Sequence, residues 1–196
     1  STQGYSSAAS DVYKRQLERI NNNTITDILN KIEVKAGDVV MVKAGTIHAI
    51  GAGVFICEIQ QNSNCTYRMY DYDRRDKFGN PRELHVKKAL DVVDNHKYIK
   101  DNKTEVVIAR NEHFTEERLV QCKYFEVYKY DVNDEAKITV DEASFVSVLF
   151  INGSGTIETD DYEKTMEFKA GDSFFVSAGL RSIIIKGQAT MVVTRV

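Results

Sequence analysis

EVKAGDVVMVKAG (Glu33–Gly45) and EFKAGDSFFVSAG (Glu167–Gly179) align without a gap. Glutamate, Lys-Ala-Gly-Asp, valine and Ala-Gly recur in register, so chance is a poor explanation and an internal repeat is the better one. Each copy reads as a strand held between two glycine turns, a unit suited to the sharp corners of a small β-barrel. The repeat predicts an all-β chain of two jelly-roll β-barrel modules in tandem.

Composition narrows the class. The 196 residues are enough for one large or two small domains with their own interior. Apolar residues at 42% and charged residues at 28% exclude the disordered and collagen-like classes. A net charge of -3 with no basic face argues against a nucleic-acid partner. Cys57, Cys65 and Cys122 are odd in number and lack CxxC spacing, which points to free thiols and a cytoplasmic protein. No apolar run approaches the ~20 residues that span a bilayer, so no membrane partner is expected. One proline and no tryptophan, beside ten tyrosines and nine phenylalanines, fit a sheet whose turns use Gly, Asn and Asp.

Residues 1–16, STQGYSSAASDVYKRQ, are Ser-rich and lack apolar periodicity. They read as a non-native or disordered leader. Residues 17–97 form the expected first module, incomplete at its N-terminal side, and 98–196 the second, degenerate one. Leu17, Ile20, Ile25, Ile28, Leu29 and Ile32 have loose helical spacing, with Thr26 as a cap for a short helix. From Glu33 the period falls to two: Val34, Val39, Met41 and Val42 around Gly37-Asp38, then Ile47 and Ile50 around Gly45, read as short strands joined by tight turns, and further strands are expected at 53–60 and 65–72. Leu84–Asp94 is the expected helical connection and Tyr98–Glu105 a polar linker. Strands then follow at 106–109, 119–131, 138–140, 144–152, 155–159, 163–168, 173–176 and 182–195.

Chemistry concentrates in Gly45–Arg75, GTIHAIGAGVFICEIQQNSNCTYRMYDYDRR. His48 follows a glycine turn inside an apolar run, which aims its imidazole at a barrel mouth. Glu58 and Gln60 alternate with Ile59 and emerge on one face. Arg68 follows on the next run. A histidine, a carboxylate and a guanidinium on neighbouring strands suit a metal and a sugar oxygen together. The blander alternatives are a hydrogen-bonded core histidine, an ion pair of Arg68 with Glu58 or Asp71, and a Glu58 that only orients Arg68. Asp71, Asp73, Arg74, Arg75 and Asp76 read as a solvated charge network rather than catalytic machinery; the sequence permits Arg74 or Lys87 to meet a sugar phosphate and goes no further. His85, His96 and His113 read as surface residues. The repeat partner of His48 is Ser182, beside Arg181, so no ligand remains in the second module.

A Gly-Asp turn, a strand and a turn leading to histidine resemble the second motif of the cupins. VKAGDVVMVKAGTIHAIGAG, EIQQNSNCTYRMYDYDR and RELHVKKALDVVD (Arg82–Asp94) more closely resemble consecutive blocks of the short bacterial type I mannose-6-phosphate isomerases. The resemblance runs from about Leu17 onward. It implies zinc-dependent interconversion of mannose 6-phosphate and fructose 6-phosphate through a cis-enediol. By the same resemblance His48 is a zinc ligand and Arg68 holds the enediolate, with Glu58 the candidate proton carrier. The family's other ligands come from a Gln-x-His pair and a glutamate on earlier strands, and no Gln-x-His occurs here. The expectation is therefore a truncated, inactive piece of such an isomerase; the alternative is a non-catalytic cupin module for sugar binding or oligomerisation.

Overall fold

A computed structural model of the chain describes residues 14–63, 65–94, 106–159 and 165–196. The chain divides into two compact units between Ile99 and Lys100. Most of the expected leader, His96 and the expected polar linker lie outside the described residues.

The second unit is an eight-stranded antiparallel sheet folded on itself. Its strands are β1 (Val106–Arg110), β2 (Phe114–Gln121), β3 (Glu126–Val132), β4 (Glu135–Val140), β5 (Val146–Thr159), β6 (Met166–Lys169), β7 (Ser173–Val176) and β8 (Arg181–Arg195). The ladder runs β1-β2-β3-β8-β5-β6, while β4 pairs with β8 and β7 with β5. β8 lies against β5 from Arg195 opposite Val146 to Ile183 opposite Thr159. On its other side it takes β3 along 189–195 and β4 along 181–186. Period-two alternation sends Ala136, Ile138, Val140, Val148, Phe150, Ile183, Ile185, Met191 and Val193 into one core. Phe150 is fully buried, stacked on Phe168 at 3.7 Å between centroids and met edge-on by Phe174.

β4 starts at Glu135 where 138 was expected and β6 ends at Lys169 rather than 168, and in two places the division into strands itself differs from the sequence expectation. The single strand expected at 119–131 is two, because Cys122 and Phe125 close a turn through Cys122 N–H to Phe125 O at 3.0 Å. The pair expected at 144–152 and 155–159 is one strand. Gly153 sits at φ +90°, where a Cβ would lie 1.9 Å from the Gln188 carbonyl oxygen. Glycine here marks close backbone contact inside a continuous ladder.

The first unit is different. It holds a helix over residues 14–21 (α1), a 3-10 turn at Ile25–Ile28 and a helix α2 (Val86–Val92). α1 therefore includes residues 14–16. Thr26 lies inside the 3-10 turn and does not cap it; Thr24 holds the cap position without a side-chain bond. α2 is part of this unit's own core, where its Ala89 and Leu90 pack with Ile20, Ile25 and Met69. The short strands expected around Gly37-Asp38 and Gly45, and those expected at 53–60 and 65–72, are not found among the described residues, where the sole pairing in this unit is an isolated bridge of Arg75 with Pro81. A strand exists by its ladder, and these segments have no neighbour to complete one. Most apolar residues of 53–60 stay exposed, Phe55 at 96%, whereas Met69 of the second segment joins the core beside α2.

The repeat is nonetheless real in three dimensions. Lys35 N–H reaches Asp38 Oδ2 at 3.2 Å, and Lys169 N–H reaches Asp172 Oδ2 at 2.9 Å. Gly37 and Gly171 have φ of +91° and +90°, Gly45 and Gly179 of +85° and +80°. One sequence thus makes one turn twice, with strands around it only in the second unit.

Phe150→Ala is expected to cost about 3–5 kcal/mol of second-unit stability, read from urea unfolding of the chain. His113 offers a pH test, since Asp134 holds it by hydrogen bonds of 2.9 Å and lifts its pKa above the ordinary 6.5. The same bond lowers the Asp134 pKa. The histidine's contribution is complete below pH 6.5 and lost as pH rises through the raised folded value; the aspartate's is lost as pH falls through its lowered one. NMR titration of the His113 ring is expected to give a midpoint above 6.5 that drops in Asp134→Asn.

Candidate active site

α2 fixes the backbone on which the candidate residues stand. At its start, His85 N–H donates to Arg68 O at 2.7 Å, while Arg68 N–H donates to His85 Nδ1 at 3.4 Å. At its end, Asp94 N–H donates to Gly45 O at 2.8 Å. A Cβ on Gly45 would stand 2.8 Å from Val92 O, so the turn before His48 needs glycine to rest against this helix. One short helix thus braces the turn carrying His48 and the segment carrying Arg68. Half-buried His85 is a brace, not the surface residue expected from sequence.

His48 is exposed, and its Nδ1 lies 2.9 Å from the Thr46 carbonyl oxygen. A carbonyl only accepts, so Nδ1 carries a proton, and in the neutral ring the lone pair is on Nε2. Carbonyl anchoring of one nitrogen is the arrangement that prepares the other for a metal. Among the described residues no three His, Cys, Asp or Glu side chains come together to hold an ion, at His48 or elsewhere. A zinc donor set is therefore incomplete in these residues. Among the described residues the segment around His48 has no ladder, so the expected barrel mouth is not formed by them.

Glu58 and Gln60 are exposed on either side of half-buried Ile59, matching the expected alternation. Among the described residues, no hydrogen bond or ion pair joins His48, Glu58 and Arg68 to one another. The Arg68 side chain is 28% exposed; its Nη1 donates to Glu83 O at 3.4 Å and its Nε lies 3.9 Å from Asp71 Oδ1. Of the two acidic partners weighed for it, Asp71 is the one it has.

Asp71 is the feature that sequence reading missed. It was expected in a solvated network, yet its side chain is only 7% exposed. Arg74 donates to its Oδ1, and Arg82 Nη1 stands 3.6 Å away, so three guanidiniums converge on one buried carboxylate oxygen. Its Oδ2 is buried without a partner. Two local turns create this meeting. Tyr72 and Asp73 take left-handed backbone angles, which returns Arg74 N–H to Asp71 O at 3.0 Å. Asp76 then accepts from the backbone N–H groups of Asn80 and Phe78, which also lower its pKa. That knot folds the chain back so that Arg75 bridges Pro81 and Arg82 arrives beside Asp71. The Phe-Gly-Asn-Pro sequence at 78–81 was the available signal, a turn marker between two arginine-bearing segments. The expected solvated character does hold for Asp73, Arg74, Arg75 and Asp76, all exposed; Lys87 and Arg181 are exposed too, and Ser182 is buried.

Together these features define a mostly β protein of the cupin type. The description "Mannose-6-phosphate isomerase, cupin domain" matches residues 115–196. A putative mannose-6-phosphate isomerase of Bacillus subtilis, YvyI, is 41% identical over 90% of this chain and 54% of its own length. A second from the same organism, the mannose-6-phosphate isomerase ManA, is 34% identical over 86% of this chain and 52% of its own. The crystal structure of the mannose 6-phosphate isomerase from Bacillus subtilis superposes with a TM-score of 0.82 at 37% identity, covering 94% of this chain and 57% of that one. Over residues 115–196 the chain matches the cupin domain of mannose-6-phosphate isomerases, and over most of its length it is similar to the short, cupin-type members of that family. It spans about half the length of the curated relatives it matches.

Asp71→Ala leaves three guanidiniums without their shared carboxylate and is expected to destabilise the first unit by about 2 kcal/mol. Urea unfolding followed at the Met69 methyl signal measures it, with exposed Asp73→Ala, expected within about 0.5 kcal/mol of the parent, as the comparison.

Proposed function

We propose that this chain carries part of the active site of an aldose-ketose isomerase that interconverts mannose 6-phosphate and fructose 6-phosphate. The observation that carries the reading is the pairing, through α2, of a histidine whose neutral ring has its lone pair on Nε2 and an arginine held in place at both its backbone and its side chain. His48 contributes one ligand to a zinc ion, which as a Lewis acid would organise the sugar oxygens. Arg68 offers its guanidinium to the negative charge of an enediolate. Glu58, exposed and unengaged by either, is the candidate to move the proton between adjacent carbons. The parentage of the matched relatives supports the substrate assignment. Free thiols and the absence of a helix long and apolar enough to cross a membrane among the described residues accord with a cytoplasmic setting.

The incomplete donor set supports the further reading that this chain does not turn over alone, and also keeps alive a metal-free module that binds sugar or mediates oligomerisation. Zinc titration of the purified chain separates these. Added zinc is expected to shift the His48 ring signals and not those of His113, to be lost on dialysis, and to be without effect in His48→Gln. A mannose 6-phosphate assay on the same sample is expected to show no isomerisation. Measurable turnover, or one zinc per chain surviving dialysis, overturns the partial-site reading; an unresponsive His48 overturns the metal role and favours the binding module.

A further inference from the structure

We infer that Asn152 is a site of spontaneous deamidation, at which water converts the side-chain amide to aspartate and isoaspartate, and that the isoaspartate product unfastens β5 from β8. Asn152-Gly153 is the only Asn-Gly pair in the sequence. It lies inside β5 with Asn152 exposed, at the point where the β5–β8 register slips between Phe150 and Asn152. A bulge of this kind releases the strand locally from regular ladder geometry.

The side chain is folded onto the peptide nitrogen that would attack it. Gly153 N–H donates to Asn152 Oδ1 at 2.8 Å. The amide carbon Cγ, one bond from that oxygen, therefore stands within ~4 Å of the Gly153 nitrogen, near the separation of about 3–3.5 Å of atoms poised to react. Glycine at 153 has no side chain to obstruct the approach, and its φ of +90° is one that other residues rarely hold. Asn111 and Asn133 in the same unit are arranged differently. Asn111 Oδ1 accepts from the N–H groups of His113 and Phe114 at 2.8 and 2.9 Å, which turns its amide past the next peptide. Asn133 donates through Nδ2 to Glu112 O at 2.9 Å, so the nitrogen that would leave is held.

In the reaction the Gly153 nitrogen gives its proton to hydroxide and bonds to Asn152 Cγ, the Cγ–Nδ2 bond breaks, and ammonia leaves a succinimide ring. Water then adds to either ring carbonyl carbon, and the bond from that carbon to the ring nitrogen breaks. Opening at Cγ restores the ordinary backbone, with aspartate in place of asparagine. Opening at the main-chain carbonyl routes the chain through Cβ and Cγ, which adds a carbon to the strand. Nothing is oxidised or reduced, and each product gains a negative charge. The strand has no room for the added carbon. A Cβ on Gly153 would lie 1.9 Å from Gln188 O and one on Gly155 2.0 Å from Lys186 O, so the two backbones already touch here. Lengthening the chain at 152 displaces every pair from Gly153 opposite Ala189 to Thr159 opposite Ile183.

The experiment is incubation of the folded chain at mildly acidic and mildly alkaline pH, with its tryptic peptides followed by mass spectrometry over time. Peptide 138–164 carries Asn152 as its only side-chain amide, and 111–118 and 130–137 carry Asn111 and Asn133 in the same way. Asn152 is expected to lose its amide about tenfold faster or more than either of the others, and faster at the higher pH, where hydroxide takes the Gly153 proton. Asn152→Gln, whose longer side chain closes a larger ring, is expected to keep its amide. Isoaspartate-bearing chains, separated by ion exchange, are expected to unfold at lower urea than the parent. Asn152→Asp, which keeps both the normal backbone and an acceptor for Gly153 N–H, is expected to unfold with the parent. The inference is overturned if Asn152 keeps its amide as Asn111 and Asn133 do, or loses it only once the chain is unfolded in urea. It is overturned equally if the isoaspartate chains unfold with the parent, or if Asn152→Asp unfolds as early as they do, which assigns the loss to charge.

Discussion

The pairing of β8 with β5 is the constraint on which the second unit depends. β8 gives one edge to β5 along nearly its whole length and divides the other between β3 and β4. The division falls at Gly187, whose N–H is taken by Asp134 O at 2.7 Å and whose φ is +126°. A Cβ there would meet Ser154 O at 2.5 Å, just as one on Gly153 would meet Gln188 O. The two strands touch backbone to backbone where the sheet folds over, and the aromatic core of Phe150, Phe168 and Phe174 fills the space this fold encloses.

Much of the second unit was legible because its strands alternate cleanly. The second half of β4, where exposed and buried residues alternate, and all of β7 are read from period alone. Glycine misled at Gly153 and Gly155, since the residue that punctuates turns also permits close ladders, and only the partner strand tells which. The first unit shows the converse. Its alternating residues at 53–60 have the pattern of a strand but no edge to join, so local pattern was necessary and insufficient. What survives there is what the chain enforces by itself, the Lys-Ala-Gly-Asp turn, built the same way in both copies.

The candidate site divides along the same line. His48, Glu58 and Arg68 stand out in sequence because their motif is local. Asp71 does not, because its burial comes from two successive turns and an arginine that arrives only after the knot around Asp76. The bracing by α2 was equally hidden, since nothing in RELHVKKALDVVD says that its two ends grip Arg68 and Gly45. Charge composition suggested solvent, and a charge drawn inward by three counter-charges breaks that rule.

The central position of β8 has a consequence in time. During synthesis the chain emerges in sequence order, and β3, β4 and β5 are all exposed before the strand they require exists. The pairs formed with β8 are long-range, with Thr190 bonded to Asp131 across the sheet, so closure waits on a slow, non-local search. Until β8 arrives, the β1-β2-β3 ladder, β4 and the ladder around β5 each keep an open edge, and β8 is the strand that joins them into one sheet.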